Sequence, residues 1–268
     1  MKFKSIVYSL FTCLCFSAVA QKVELGIHAG LANYSGDLAQ NVVLGETKYS
    51  GGIFARFNLN NTWALTAIGT QLRIGGSDEN FSYNKPRNIK FKTDITELAG
   101  LVEFNYFKYG TGVNDKRFSP YVYWGLGAAF FNPQGMYNNQ WYDLRQYQTE
   151  GKAYSGIAVV MPVGIGMKWM PNKKMSFEGS VGMRKTYTDY LDDVSNTYVD
   201  PAKQLNERGI VGAALADPSY SLNEGAFLNK EGYQRGNPDF NDFYFVANIS
   251  VTYRIFTRIK CARFYLIR

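Results

Sequence analysis

The stretch that decides the fold is Phe243-Tyr-Phe-Val-Ala-Asn-Ile-Ser-Val-Thr-Tyr-Arg-Ile255, close to the end of the chain. Its odd-numbered positions are all apolar or aromatic, whereas polar side chains such as Asn248, Ser250 and Thr252 alternate with them. Successive side chains of a β-strand point to opposite faces, so this strand has one apolar face and one polar face. Such an alternation over thirteen residues predicts a membrane-spanning strand of a β-barrel, with its apolar face toward lipid.

The same two-residue alternation runs through other segments and is clear over 163–169 and 175–184. Weaker alternation marks the earlier part of the chain. The predicted strands lie near 23–34, 49–60, 62–75, 89–109, 118–132, 154–170, 175–189 and 242–256. The expected fold is therefore all-β, an eight-stranded antiparallel transmembrane β-barrel of the outer-membrane type.

The predicted connections alternate between short and long. The shorter ones lie at 60–61, 110–117 and 171–174, and the longer ones at 36–48, 76–88, 133–153 and 190–241. Outer-membrane barrels have short turns on the periplasmic side and long loops outside. The sequence therefore predicts that the barrel begins and ends at its periplasmic side and carries its longest outer loop at 190–241.

The first twenty residues have the pattern of a secretory signal. Lys2 and Lys4 precede the apolar stretch Ser5–Phe16, which is shorter than the about 20 apolar residues that a spanning helix needs. Ala18 and Ala20 form the small-residue pattern of a signal-peptidase site, so we expect cleavage before Gln21. The predicted organisation is a signal peptide at 1–20, a barrel at 21–256 and a basic periplasmic tail at 257–268.

An alternative at the same end of the chain is lipid anchoring through Cys13 or Cys15. Neither cysteine follows the small-residue pair of a lipoprotein cleavage site, so cleavage of a signal peptide is the favoured reading. Cys261 is then the one cysteine of the mature chain, and a single cysteine forms no internal disulfide. The fold must be held by its own packing and hydrogen bonds.

Composition argues against several classes of function. The chain has a single histidine, His28, and no G-x-S-x-G, phosphate-loop or dinucleotide-binding motif, so we expect no enzymatic activity, no cofactor and no small-molecule substrate. A formal charge of +7 becomes +5 without Lys2 and Lys4. An exported barrel meets no duplex, so nucleic acid is not an expected partner.

The parity of each strand predicts which charged side chains face the barrel interior. They are Glu24, His28, Arg56, Glu97, Glu103, Lys168, Glu178, Arg184 and Arg254. Four carboxylates and four cations, His28 aside, predict a paired internal network. The interior of an eight-stranded barrel is only wide enough for side chains, so a filled core is expected in place of a diffusion pore. We expect His28 to hydrogen-bond within this network.

Two other groups of residues admit alternative interpretations. The acidic segment Asp189–Asp193, followed by Asp200, could offer oxygens to calcium, but its spacing fits no regular calcium loop. A solvated loop turning through Asn196 is the favoured prediction. Aromatic residues that would mark a membrane interface or lie in loops are Tyr187, Tyr190, Tyr198, Trp63, Trp124, Trp141 and Trp169.

The basic tail at 257–268 also has two interpretations. Its cations Arg258, Lys260, Arg263 and Arg268 would attract anionic headgroups, so the tail could lie on the inner leaflet. Alternatively, the tail docks a periplasmic partner, in which case the candidate contact residues are Arg258, Lys260, Cys261, Arg263 and Phe264. A lone cysteine in an oxidising compartment could also pair between chains.

Several segments carry a resemblance to a known family. They include Asn33-Tyr-Ser-Gly-Asp-Leu38, Val102-Glu-Phe-Asn105, Phe118-Ser-Pro-Tyr121, Phe130-Phe-Asn-Pro133, Pro162-Val-Gly-Ile-Gly-Met-Lys168, Gln234-Arg-Gly-Asn237 and, most specifically, Arg184-Lys-Thr-Tyr-Thr-Asp-Tyr-Leu-Asp-Asp-Val-Ser-Asn-Thr-Tyr198. In these segments the chain resembles the PorG-type barrels that accompany the type IX secretion system of Bacteroidota. It departs from them at Ala262, where members often have proline, and in a first strand less rich in glycine.

The resemblance implies a non-enzymatic subunit in the outer membrane of a Gram-negative bacterium. Its implied partners are outer-membrane lipid and, on the periplasmic side, the ring built by the system's lipoprotein and its partner subunit. Three alternatives remain: a surface-binding barrel or adhesin acting through 190–241, a passive structural barrel, and a membrane-embedded enzyme acting on lipids. The last would need a serine, histidine or acidic group converging at the outer rim, and the depth of His28 in the first strand would decide.

Overall fold

The structure, a computed structural model, describes residues 22–39, 43–223 and 225–255. Its strands are β1 (Lys22–Ser35), β2 (Lys48–Asn58), β3 (Trp63–Ser77), β4 (Lys90–Asn105), β5 (Phe118–Tyr137), β6 (Gln140–Asp143), β7 (Ile157–Trp169), β8 (Met175–Thr186) and β9 (Phe243–Ile255). Eight of them form a barrel, and the short β6 pairs only with the upper part of β5.

The barrel is closed and runs up and down. Each barrel strand pairs antiparallel with its neighbour in the chain, β5 pairs with β7, and β9 returns to pair with β1. At the closing seam Ile27 lies opposite Val251, and on its other side Ile27 lies opposite Ile53. The predicted eight-stranded antiparallel barrel is confirmed.

The strand ends differ from the predicted ones by more than three residues in two places. The fourth strand ends at Asn105, four residues before the predicted Tyr109, because the chain turns there and Tyr109 donates its backbone N–H to the carbonyl of Asn61. The fifth strand continues to Tyr137 and forms a hairpin with β6, where a loop was expected. Asn138 and Asn139 both have positive φ, the geometry that a two-residue hairpin turn requires.

One face of every barrel strand is apolar and points away from the interior. The large exposed side chains of this apolar belt include Leu25, Ile27, Leu31, Ile53, Leu65, Leu98, Val122, Trp124, Leu126, Val159, Ile165, Met167, Val181 and Ile249. Water-soluble proteins bury such side chains, because each Å² of apolar surface left in water costs about 25 cal/mol of folding free energy. A continuous belt of this kind indicates that the barrel wall faces a medium other than water.

Aromatic residues line the lower edge of the belt. Trp63 lies 4.9 Å from Phe104 and 6.0 Å from Trp124, measured between ring centroids, and Trp169 lies 6.1 Å from Phe177. All five side chains project from the outward face of the strands. Trp141 differs, because it lies on β6 under the ammonium group of Lys92, at 4.3 Å.

Three connections lie together at one end of the barrel, which we call the turn end: 59–62, 106–117 and 170–174. Two of them use the same device. The side-chain oxygen of Asn60 accepts hydrogen bonds from the backbone of Thr62 and Trp63, and that of Asn172 accepts from Lys174 and Met175. These short asparagine turns reverse the chain between neighbouring strands.

The four remaining connections fold together over the opposite end and form a cap, whose described residues are 36–39, 43–47, 78–89, 138–156, 187–223 and 225–242. The cap contains the short helix α1 (Leu144–Tyr147) and the helix α2 (Pro201–Ala216), which is interrupted at Gly209. Asp200 caps the N-terminus of α2 by accepting from the backbone of Ala202. Among the described residues, no helix combines the length and the hydropathy needed to cross a bilayer.

Candidate functional site

The lower half of the barrel interior holds three cations and three carboxylates in mutual contact. The guanidinium of Arg56, on β2, lies 2.7 Å from Glu178 on β8, 3.1 Å from Glu24 on β1 and 2.9 Å from Glu103 on β4. Arg254 binds the other oxygen of Glu24, at 2.9 Å, and Lys168 binds Glu103. All six side chains are buried, so the network crosses the full width of the barrel.

A second, smaller group lies higher in the interior. Glu97 accepts a hydrogen bond of 2.6 Å from the hydroxyl of Tyr244, and the guanidinium of Arg184 lies 3.6 Å from the same carboxylate. Arg184 also donates to Tyr123 at 3.2 Å. Positive and negative charges therefore balance in both groups, which offsets part of the cost of removing these charges from water.

His28 lies between these two groups and is 5% exposed. It lies opposite Ser250 and Gly52 in the strand register, and its ring lies 6.2 Å from that of Phe54. Neither ring nitrogen has a hydrogen-bond partner among the described residues. The predicted hydrogen bond from His28 to the lumen network is therefore wrong for the described residues: Ser250 lies opposite His28 in the register, but neither ring nitrogen bonds to it.

The space around His28 is small. A cavity of about 40 Å³ lies between His28, Arg56, Tyr121, Tyr123 and Asn248, enough for one or a few water molecules. Small residues on the inner face admit the large tyrosines: a side-chain carbon added at Gly182 would lie 2.1 Å from the hydroxyl of Tyr123. The interior is a packed core.

An apolar layer closes the barrel above Glu97. Its buried members are Ala32, Leu72, Ile74, Phe91, Ile95, Ala129, Phe131, Ala158, Val160 and Val246 on the barrel strands, together with Leu38, Leu191 and Val194 from the cap. The cap is therefore joined to the barrel by a common hydrophobic core. Side chains of the charged groups and of this apolar layer occupy the path along the barrel axis.

Polar contacts add to this junction. The hydroxyl of Tyr34, at the top of β1, lies 2.6 Å from a carboxyl oxygen of Asp192 and 2.7 Å from one of Asp242. The remaining oxygens accept from the backbone, Asp192 from Val194 and Asp242 from Leu191, both at 2.9 Å. Burial raises the pKa of Asp242 to about 7 and the pKa of Asp192 well above its usual range, and each is further raised by the charge of nearby Asp37.

A buried arginine organises the centre of the cap. Arg235 donates to Glu150 at 3.0 Å and to the backbone carbonyl of Asp193, and Glu150 in turn accepts from the backbone of Ser195 and Asn196. Burial raises the pKa of the Asp193 carboxyl to about 6, which Arg235 opposes. These contacts link the connections 138–156 and 187–242 into one body.

The acidic segment Asp189–Asp193 is not a solvated loop, so that prediction is wrong. Leu191, Asp192 and Asp193 are each at most 1% exposed, because the segment inserts between the barrel rim and the rest of the cap. Tyr198 is also buried, and Tyr190 stacks on Tyr154 at 4.3 Å, so neither marks a membrane interface. Within the described ranges, no three acidic, histidine or cysteine side chains converge on a possible metal position.

A scan against protein-family models places the chain among known sequences. The family described as "Domain of unknown function (DUF6089)" matches residues 3–208, which is well over half of the chain. The chain belongs to the DUF6089 family. No curated protein matches this DUF6089 protein.

Solved structures similar to the DUF6089 protein are barrel proteins of low sequence identity. The attachment invasion locus protein Ail of Yersinia pestis is 10% identical, with a TM-score of 0.44, and the match covers 88% of this chain and 99% of Ail. The outer membrane protein OprG of Pseudomonas aeruginosa is 12% identical, with a TM-score of 0.43 and coverages of 88% and 98%. Neisserial surface protein A is 9% identical, with a TM-score of 0.43 and coverages of 87% and 97%.

The remaining predicted features of the DUF6089 protein lie at its ends. The signal peptide at 1–20 and the tail residues Arg258, Lys260, Cys261, Arg263 and Phe264 lie outside the described residues. Sequence reasoning missed the cap as a folded unit. Asp200 and Pro201, which begin α2, form a sequence signal for a helix start. The contacts of Tyr34 with Asp192 and Asp242 have no corresponding signal in the sequence.

Proposed function

We propose that this DUF6089 protein is a non-enzymatic barrel of the outer membrane that seats a periplasmic complex of the type IX secretion system. The observation that carries the membrane location is the apolar belt, which surrounds a closed barrel and has an aromatic lower edge. A belt of exposed Leu, Ile, Val and Met is stable next to lipid and not next to water. The signal peptide predicted at 1–20 supports the same location.

The interior of the barrel supports a structural role. An ion-paired network in the lower half and an apolar layer above it occupy the lumen, so the wall and the core form one rigid body. A rigid, filled barrel suits an anchor better than a channel. The resemblance to PorG-type barrels is the reason for assigning this anchor to the type IX secretion system.

The position of His28 bears on the enzyme alternative. A lipid-acting enzyme would need a catalytic group at the outer rim, whereas His28 lies inside the barrel, below the apolar layer that the cap shares. Lipid in the outer leaflet is separated from its imidazole by the barrel wall. The geometry therefore favours the structural role.

A pull-down tests the secretion role. The detergent-solubilised full chain and a form truncated after Phe256 would be compared, with periplasmic partners identified by mass spectrometry. We expect ring subunits to bind the full chain and to be lost with the tail if Arg258 to Phe264 dock them. Absence of ring subunits from both samples, together with normal secretion after gene deletion, would overturn the role in secretion.

One observation favours a second candidate, a surface-binding barrel. The cap is a folded unit that exposes large apolar side chains, namely Leu222, Leu228, Tyr233 and Phe240, which are 56–71% exposed. Exposed apolar patches often mark binding surfaces. If the barrel binds a surface, replacing all four by serine should abolish adhesion and leave secretion unchanged. If the barrel only seats the ring, the same change should affect neither ring binding nor secretion.

A further inference from the structure

The turn end of the barrel is strongly basic. The connections 106–117 and 171–174 contain five cations, Lys108, Lys116, Arg117, Lys173 and Lys174, all exposed. They contain one carboxylate, Asp115, and this group is already used: it accepts from the side-chain amide of Asn61 and from the backbone of Gly112, both at 2.6 Å. Among the described residues, none of the five cations has an ion-pair partner.

Hydrogen bonds between the three connections hold the backbone around these cations in place. Tyr109 donates its backbone N–H to Asn61, and Met170 donates its backbone N–H to Arg117 at 2.7 Å. The guanidinium of Arg117 donates to the carbonyl of Pro171 at 3.3 Å. These contacts join all three connections of the turn end, so the positive charges lie on a preorganised surface.

The depth of the charges follows from their neighbours in the chain. Lys116 and Arg117 directly precede Phe118, Lys174 directly precedes Met175, and Lys108 directly follows Phe107. These three apolar neighbours are 37–42% exposed. Phe118 begins β5 and Met175 begins β8, and a strand advances about 3.3 Å per residue, so Lys116, Arg117 and Lys174 lie within about 7 Å of the edge of the apolar belt.

This depth identifies the partner. The headgroup region of a bilayer is about 5–7 Å thick on each side of the hydrocarbon core, and the cations therefore lie within it when the belt is in lipid. We propose that the turn end binds the phosphates of anionic phospholipids in the leaflet that it faces. This inference rests on the proposed membrane location and is independent of the role in secretion.

The test uses the full mature chain in nanodiscs of equal parts phosphatidylglycerol and phosphatidylcholine, with the lipids that stay bound after release counted by native mass spectrometry. A lysine near an anionic surface strengthens binding about fivefold. We expect the wild-type chain to retain phosphatidylglycerol at least about fivefold over phosphatidylcholine, and about 0.5 M salt to reduce this preference.

Two matched variants with the same change of charge locate the effect. Lys108, Lys116, Lys173 and Lys174 are changed to Gln in one variant. In the other, the exposed cap lysines Lys85, Lys152, Lys203 and Lys230 are changed to Gln. The first variant should lose the preference for phosphatidylglycerol and the second should keep it. Heat-modifiable migration on gels checks that both are folded.

The outcomes separate this inference from the proposed location. A chain that fails to insert, as scored by protease protection, overturns both. An inserted chain whose preference is the same in wild type and in the turn-end variant overturns the lipid inference alone. Lysine-dependent binding to poly-glutamate without any preference for phosphatidylglycerol would identify the surface as a docking site for an acidic protein segment, and would likewise overturn it.

Discussion

The hydroxyl of Tyr34 lies 2.6 Å from the carboxyl of Asp192, and this contact joins the first strand of the barrel to its longest connection. The same hydroxyl lies 2.7 Å from Asp242. A phenol has one hydrogen to donate, so one of the two contacts is a hydrogen bond that a protonated carboxyl donates to the phenol oxygen. The junction between barrel and cap therefore contains a bound proton.

This proton makes the stability of the cap depend on pH. Burial raises the pKa of Asp242 to about 7 and that of Asp189 to about 8, and raises that of Asp192 as well, with Asp37 as a nearby like charge. The cations closest to the junction are committed elsewhere, Arg87 to Asp78 and Arg235 to Glu150. Among the described residues, no ion pair compensates the charge of Asp189, Asp192 or Asp242.

A carboxyl with a raised pKa binds its proton more tightly in the folded state. Its contribution to stability is complete below about pH 4, where unfolded aspartate is also protonated, and decreases as the pH rises to between about 7 and 8. We expect a loss of about 1.4 kcal/mol per pH unit for each such carboxyl in that window. Hydrogen exchange of the cap amides between pH 5 and 9, corrected for intrinsic rates, measures it.

The control for this prediction is the change of Asp242 to Asn, which keeps the shape and removes the titration. The variant should show a flatter dependence of cap protection on pH than the wild type. An unchanged slope would show that Asp242 is not one of the titrating groups.

Changing Tyr34 to Phe tests the junction directly. The substitution keeps the ring, which packs at 4.9 Å from Phe91, and removes both contacts to carboxyl groups. Leaving buried polar groups without a partner costs about 1–3 kcal/mol. We expect faster proteolysis within the cap with the barrel itself intact. Equal proteolysis of wild type and variant would show that the apolar layer alone holds the cap.

The ion-paired network predicts a large effect at Arg56. Changing Arg56 to Met removes the ion-pair partner of Glu178 and leaves its carboxylate buried, which should lower the free energy of unfolding by about 3–5 kcal/mol. Adding the change of Glu178 to Gln should recover part of this loss. Denaturant unfolding in lipid vesicles measures both.

The matched control for Arg56 is Arg73, which also pairs with a carboxylate but on the outer surface. The side chains of Arg73 and Asp94 are 33% and 41% exposed. Changing Arg73 to Met should cost about 0–1 kcal/mol, as exposed ion pairs do. Similar losses at Arg56 and Arg73 would contradict the conclusion that the lumen network stabilises the barrel.

The apolar belt predicts a position-dependent cost for charge. Ile27 is 64% exposed at the middle of β1, and changing it to Arg should cost about 2–4 kcal/mol in lipid vesicles, the range for an arginine at the bilayer midplane. Leu228, which is 57% exposed in the cap, provides the control, and changing it to Arg should have little effect. If changing Ile27 to Arg left the stability unchanged, that result would argue against the membrane location.

The sequence by itself determined the barrel. Alternation with a period of two fixes the face on which each side chain lies, so residues such as Glu24, Arg56 and Arg254 could be assigned to the interior before any contact was known. The order of the strands determined which connections share an end, because successive strands of an up-and-down barrel run in opposite directions. Both can be read from the order of residues along the chain, without knowing which residues meet across the barrel.

Only the tertiary structure decided which partners meet. Arg56 contacts Glu178 across 122 residues of sequence, and Tyr34 contacts Asp192 across 158, distances at which no local pattern specifies a pair. The segment Asp189–Asp193 was predicted to be solvated because aspartates are normally exposed. It is buried instead, and the carboxyl of Asp192 contacts the hydroxyl of Tyr34 and the backbone N–H of Val194. Burial of a polar segment depends on partners brought from elsewhere in the chain, and barrel closure supplied them.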